Sequence, residues 1–131
     1  MKPIFSVHAG EYPSAAIVSN VNAGGWWTFD QKKLNSSAAE LWILVLYSFT
    51  KRDHDFIIIE PQELLKRYIQ LGKLQEKIQS YVWVTSSNRC WETRDLGKLQ
   101  QDDVANDRYT DPIRDLSKYL NNWESVETLL S

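Results

Sequence analysis

Residues 41–47, Leu-Trp-Ile-Leu-Val-Leu-Tyr, are apolar at odd and even positions alike. In a strand this means that both faces are covered, as at the centre of an α/β sheet. The polar stretch 50–55 turns the chain into Phe56-Ile57-Ile58-Ile59, a run of the same character, so the two predict a hairpin at the core. Pro61 suits a first helical position, where its missing N–H needs no partner. The helix reads over 61–71, with Leu64, Leu65, Tyr68 and Ile69 on one face and Gln62, Glu63, Lys66, Arg67 and Gln70 on the other. Gly72 is placed to cap it. A second short helix is expected through Leu74 and Ile78, then strands at 81–85 and 90–93 joined by the turn Ser86-Ser87-Asn88-Arg89. Residues 100–110 read as a loop. Asp111-Pro112 opens a C-terminal helix, 112–123, whose Ile113, Leu116, Leu120 and Trp123 form a stripe. The first 25 residues are less regular. A strand fits 4–7, Gly10 and Pro13 interrupt it, 15–18 suits a strand or a helical turn, and Gly24-Gly25 breaks the chain before the apolar 26–29. The fold class expected is α+β or mixed α/β, a mixed sheet flanked by helices.

Composition narrows this picture. At 131 residues the chain suffices for one core, so a single domain over 1–131 is expected. Fifteen Lys+Arg against seventeen Asp+Glu give a net charge of -2, and no global field draws the protein to nucleic acid or an anionic membrane. Any such binding must be local. Six Trp, six Tyr and four Phe supply large apolar surfaces for packing and binding. The lone Cys90 forms no intrachain disulfide, and no paired Cys/His spacing suggests zinc, which points to a reducing compartment. The longest apolar run is too short to cross a bilayer, so a cytoplasmic protein is expected.

Candidate chemistry is sparse. The histidines, His8 and His54, and Cys90 read as ordinary structural or solvated residues rather than a nucleophile and base. No glycine-rich phosphate loop is present. Asp102, Asp103 and Asp107 lack the spacing of a calcium loop. Lys66, Arg67, Lys73 and Lys77 make a modest basic surface that could bind phosphate, with Arg89 and Arg94 further on. Trp26, Trp27, Trp83 and Trp91 outnumber what a core of this size ordinarily needs, and could line a pocket for a small molecule or peptide.

The motifs Gly25-Trp26-Trp27-Thr28-Phe29, Ser37-Ala38-Ala39-Glu40-Leu41-Trp42, Asp55-Phe56-Ile57-Ile58-Ile59-Glu60-Pro61 and Arg89-Cys90-Trp91-Glu92-Thr93-Arg94 resemble the later half of a prokaryotic family with the restriction-endonuclease-like, PD-(D/E)XK, fold. The stretch from Asp111-Pro112 to Asn121-Asn122-Trp123 extends the likeness, and His8-Ala9-Gly10-Glu11-Tyr12 is similar to that family's opening. The resemblance implies a mixed sheet flanked by helices and, in active members, magnesium-dependent phosphodiester cleavage. There, one acidic residue ends a strand, and an acid or Gln, any residue, then Lys lie on the next. This chain has only fourteen residues, Tyr12 to Gly25, where the resemblance places the catalytic hairpin.

The expectation is therefore a non-catalytic interaction or nucleic-acid-binding module with no cofactor. The alternatives are a magnesium-dependent DNA nuclease using Glu11, Asp30 and Lys32, the one literal match to the catalytic spacing, and a binding protein with a Trp-lined pocket. Loss of the hairpin would bare the 41–47 strand, and exposed apolar edges aggregate unless covered. Either residues 4–18 fill the gap or two copies pair. A homodimer is the expectation.

Overall fold

The computed structural model describes residues 4–11 and 19–131. The predicted hairpin is present: β3 (Leu41–Ser48) pairs antiparallel with β4 (Asp53–Ile59), Leu44 opposite Ile57. On its other side β3 meets two partners in succession. The first is β1 (Phe5–Ala9), parallel, in register from Phe5–Leu41 to Ala9–Val45. The second is the start of β2 (Val21–Asp30), antiparallel, at Ala23–Ser48 and Gly24–Tyr47. The N-terminal segment thus fills the gap beside β3, and both edges of that strand are occupied. The expectation of 15–18 as strand or turn lies outside the described residues.

Past Gly24, β2 leaves β3 and runs antiparallel to β5 (Lys77–Thr85), which pairs with β6 (Cys90–Glu92). The forecast break at Gly24-Gly25 is a continuous strand. A Cβ at Gly25 would stand 3.0 Å from the Trp27 ring, so the glycine makes room for an indole instead of ending an element. β5 also replaces the expected helix through Leu74 and Ile78. Its inward residues are Ile78, Ser80, Val82 and Val84, and the polar Ser80 hides the period-two signal that marks a strand.

The helix predicted after Pro61 forms as α2 (Pro61–Gln70), behind the short α1 (Gln31–Asn35). Leu64, Leu65 and Tyr68 are buried, each contributing roughly 1.5–3 kcal/mol on transfer from water. They meet Trp27, Phe29, Trp42, Leu44, Ile57 and Ile78 in the main core. Gly72, at φ 74°, takes the left-handed conformation past the helix end, and the Lys73 N–H donates to the Tyr68 carbonyl at 2.8 Å.

Two C-terminal expectations are corrected. Residues 100–110 contain a helix, α3 (Lys98–Ala105), which buries only Val104 and Ala105 and so has almost no apolar stripe to read. Residues 112–123 are not a helix but a strap. It includes a 3-10 turn at Ser117–Tyr119, and α4 (Trp123–Leu130) begins where the expected helix was to end. The strap's backbone bonds go to the sheet: Glu92 N–H to the Arg114 carbonyl, Leu116 N–H to Cys90, Asn121 N–H to Phe56. Side-chain acceptors on Asp111 and Asp115 hold the Ile113 and Ser117 amides and so compete with helix formation.

The strap also sets the shape of the sheet. Leu116 bonds to β6 and Leu120 bridges Ile57 on β4. The four steps between them reach at most about 14 Å. A flat sheet would hold β6 and β4 apart by about 19 Å or more, four strand spacings. The sheet therefore curls around α2, and the strap takes up part of the outer edges of β6 and β4, at Cys90, Glu92 and Phe56. α4 lies on the outer side, where Val126 packs with Leu41, Ile43 and Ile58.

Candidate binding face

Period two assigns each residue of β2 and β5 to one face of the sheet. Trp27, Phe29, Ile78 and Val82 face the core. On the opposite face the cross-strand pairs run Asp30–Lys77, Thr28–Gln79, Trp26–Tyr81 and Gly24–Trp83, and Trp83 then pairs with Trp91 on β6. One end of this face is covered. Trp91 is buried with Leu96 and Val104, with Tyr109 against its ring at 5.2 Å. The rest is open: Tyr81 is 39% exposed, and Trp26 and Trp83 are half-buried. The Trp26 and Tyr81 centroids lie 6.2 Å apart, and the Arg94 guanidinium sits 5.0 Å over the Tyr81 ring. Such an arrangement offers flat π surfaces with a cation beside them.

At the Lys77 end the face opens into a cleft of about 430 Å³ lined by Lys73, Gln75, Lys77, Gln79, Arg94 and Asp95, with Leu71, Gly72 and Ile78. Lys73 donates to Asp95 at 2.9 Å and Arg94 approaches the same carboxylate at 3.5 Å. These cations hold the Asp95 carboxyl below the usual carboxylate range, the Lys73 hydrogen bond most strongly. Lys77 pairs with Asp30 at 3.2 Å and lowers that carboxyl likewise.

Behind the cleft lies a buried carboxylate, Glu92. It accepts from Ser80 Oγ (2.7 Å), the Tyr81 and Arg94 amides (3.2 and 3.0 Å) and Arg114 (2.7 Å). Burial pushes this carboxyl up, against the pull of Ser80, Lys73, Arg114 and the Tyr81 amide. Its role is to fasten β5, β6 and the strap together under the open face.

The candidate residues fall into distinct groups. Trp26, Trp83, Lys73 and Lys77 share the open face and its cleft. Trp27 and Trp91 are buried in two different clusters, so the four tryptophans do not line one pocket. Arg67 is taken up by structure: its guanidinium donates to Glu63 and to the Pro112, Ile113 and Asp115 carbonyls, pinning the strap to α2. Lys66 is exposed on α2 and is not among the residues lining the cleft. Tyr81, Gln79 and Asp95 were missed by sequence reasoning. A strand placed from Lys77 would have found the first two, because Lys77, Gln79, Tyr81 and Trp83 alternate along it.

The nuclease set is not brought together. Glu11 bridges Trp26, and Asp30 lies four positions further along β2, about 13 Å away at the rise of a strand. The Asp30 carboxylate caps α1 by accepting from the Lys32 and Lys33 amides, while Lys32 contributes its backbone N–H. One magnesium ion cannot take both carboxylates as direct ligands at that separation, so these residues do not fit the metal. Among the described residues no group of three or more His, Cys, Asp or Glu is placed to hold one. His8 stacks on Trp42 at 3.9 Å, bonds Ser6 through Nε2, and is lowered by burial. Cys90 is buried, which pushes its thiol up and away from nucleophilic use.

Among the described residues no helix is long and apolar enough to cross a membrane. In comparisons with protein-family models, curated proteins and solved structures, nothing matches this chain.

Proposed function

We propose that the protein is a non-catalytic module that binds single-stranded nucleic acid on the open face of β2, β5 and β6. The observation that carries the reading is the ladder Trp26–Tyr81 and Trp83, with Arg94 stacked on Tyr81 and with Lys73 and Lys77 at one end. Bases stack on exposed aromatic rings whatever their sequence, while cations alongside meet the phosphates. The likeness to the restriction-endonuclease-like family adds weight to a nucleic-acid partner, and the separation of Glu11 from Asp30 argues against cleavage. The near-neutral net charge restricts the interaction to this face, where the cations cluster.

The test is fluorescence anisotropy with a labelled 12-nucleotide single strand, DNA and RNA in parallel, at low salt. Binding is expected, with Trp26→Ala and Tyr81→Ala each weakening it roughly 5- to 150-fold, the loss of about 1–3 kcal/mol of stacking. Contacts from Lys73, Lys77 and Arg94 predict a slope near -2 in a plot of log affinity against log salt, about 0.7 per phosphate. Lack of binding at low salt, or unchanged affinity in both variants, would overturn the proposal. Incubation with magnesium or manganese should leave plasmid and oligonucleotide intact; cleavage abolished by Asp30→Ala would refute the non-catalytic part.

A further inference from the structure

We infer that the cleft at the Lys77 end of this face is a site for a terminal phosphate, a phosphomonoester dianion at the end of a nucleic-acid strand, and that Asp95 is its built-in competitor. The inference rests on the proposed binding of single strands. Its motivation is that the cleft already holds an anion. Lys73, from the loop after α2, and Arg94, from the end of β6, reach the two oxygens of one carboxylate, that of Asp95. Lys77 and the amide side chains of Gln75 and Gln79 line the same space, which at about 430 Å³ has room for a phosphate group beside the carboxylate.

Two features make Asp95 displaceable. Its side chain is 66% exposed, so the carboxylate can turn out to solvent, whereas the Lys73 side chain is only 9% exposed and needs another anion in its place. Its backbone sits at φ 70°, a left-handed conformation uncommon outside glycine, asparagine and aspartate, so the carboxylate is presented from a tight turn and not from a strand. The turn is closed by the Leu96 N–H on the Thr93 carbonyl.

Charge count favours a strand end over an internal linkage. A phosphodiester carries one charge, whereas a phosphomonoester carries nearly two and three strong acceptor oxygens. Once Asp95 swings out, Lys73 and Arg94 are left facing the incoming group, with Lys77, which also pairs with Asp30, beside them, and two freed cations match the latter. The cleft also lies at the end of the ladder: Lys77 is four positions, about 13 Å, from Tyr81 along β5, within reach of a short oligonucleotide stacked on Trp26 and Tyr81.

The experiment titrates the wild-type protein with one 12-mer carrying a 5′-phosphate, a 3′-phosphate or hydroxyls at both ends. One phosphorylated form is expected to bind about tenfold tighter than the hydroxyl form, the worth of one charge-assisted contact. Asp95→Asn keeps the turn-compatible shape and removes the competing charge; it should widen that preference several-fold. Lys77→Gln, at an exposed position, should weaken binding of all three strands and erase the difference between the phosphorylated and hydroxyl-ended forms. Binding without end preference, unchanged by Asp95→Asn, would overturn this inference alone. Failure of every oligonucleotide to bind would take the proposed function and this inference together.

Discussion

Replacing Arg114 by alanine is expected to remove about 3–5 kcal/mol of stability, the cost of leaving a buried charge without its partner. Arg114 and Glu92 have side chains only 11% and 3% exposed, and their closest approach is 2.7 Å. The same guanidinium nitrogen also donates to the carbonyls of Glu92 and Arg94, so its loss strands two backbone acceptors as well as the carboxylate. Ser80 and two amides would still donate to Glu92, but none of them carries charge. Domains of this size are stable by about 5–15 kcal/mol in total, so the variant should melt far below the wild type. The proton provides a second reading. Without Arg114, burial acts on Glu92 with less opposition, and its folded-state value rises further above the ordinary one. A raised folded value means that the folded form holds the proton more tightly. Stability is then recovered as pH falls through that value toward the ordinary carboxyl range. Urea unfolding at pH 7.5 and 5.5 should show a smaller deficit at the lower pH. A deficit below 1 kcal/mol, or one equal at both pH values, would show that the pair is not what holds the strap.

The parts of the fold legible in the sequence are those whose signals are local. Pro61, the amphipathic run to Gln70 and Gly72 mark α2 by themselves, and two unbroken apolar runs around a polar turn mark β3 and β4. What misled was the strap. Ile113, Leu116, Leu120 and Trp123 have helical spacing, yet only Leu116 is fully buried, and the backbone is claimed by strand edges and by Arg67, contacts between residues up to 65 positions apart. Ser80 hid β5 for a related reason: it is polar because it serves Glu92, twelve residues away. The candidate face was legible residue by residue, since Trp26, Trp83, Lys73 and Lys77 all stood out as candidates. Their juxtaposition was not, because it depends on β2 pairing with β5 across some fifty residues of chain. Thus composition suggested the kind of chemistry, and only long-range register could place it.

Trp27→Ala is expected to cost a further large amount, about 3–5 kcal/mol, the range for deleting a buried large aromatic side chain. Trp27 locks the place where β1 enters the sheet. Its indole N–H donates to the His8 carbonyl at 3.1 Å, and its ring stacks with Phe29. It lies against Gly10, where a Cβ would come within 2.6 Å of the ring. Beyond Glu11 and Trp26, β1 and β2 share no further ladder among the described residues, so the indole stands in for strand pairing at their junction. Hydrogen exchange should therefore show lost protection at Gly10 and Glu11, with β5 and β6 far less affected. The converse change tests the same contact. Gly10 is not in the left-handed region, so Gly10→Ala meets no backbone strain, only the rigid ring, and should cost about 1–3 kcal/mol by overpacking. In the Trp27→Ala background that ring is gone, and Gly10→Ala should become close to neutral. Residues in direct contact couple in this way, whereas independent ones add. Strict additivity of the two substitutions would mean that the indole does not occupy the space above Gly10, and β1 would need another explanation for its place between β3 and β2.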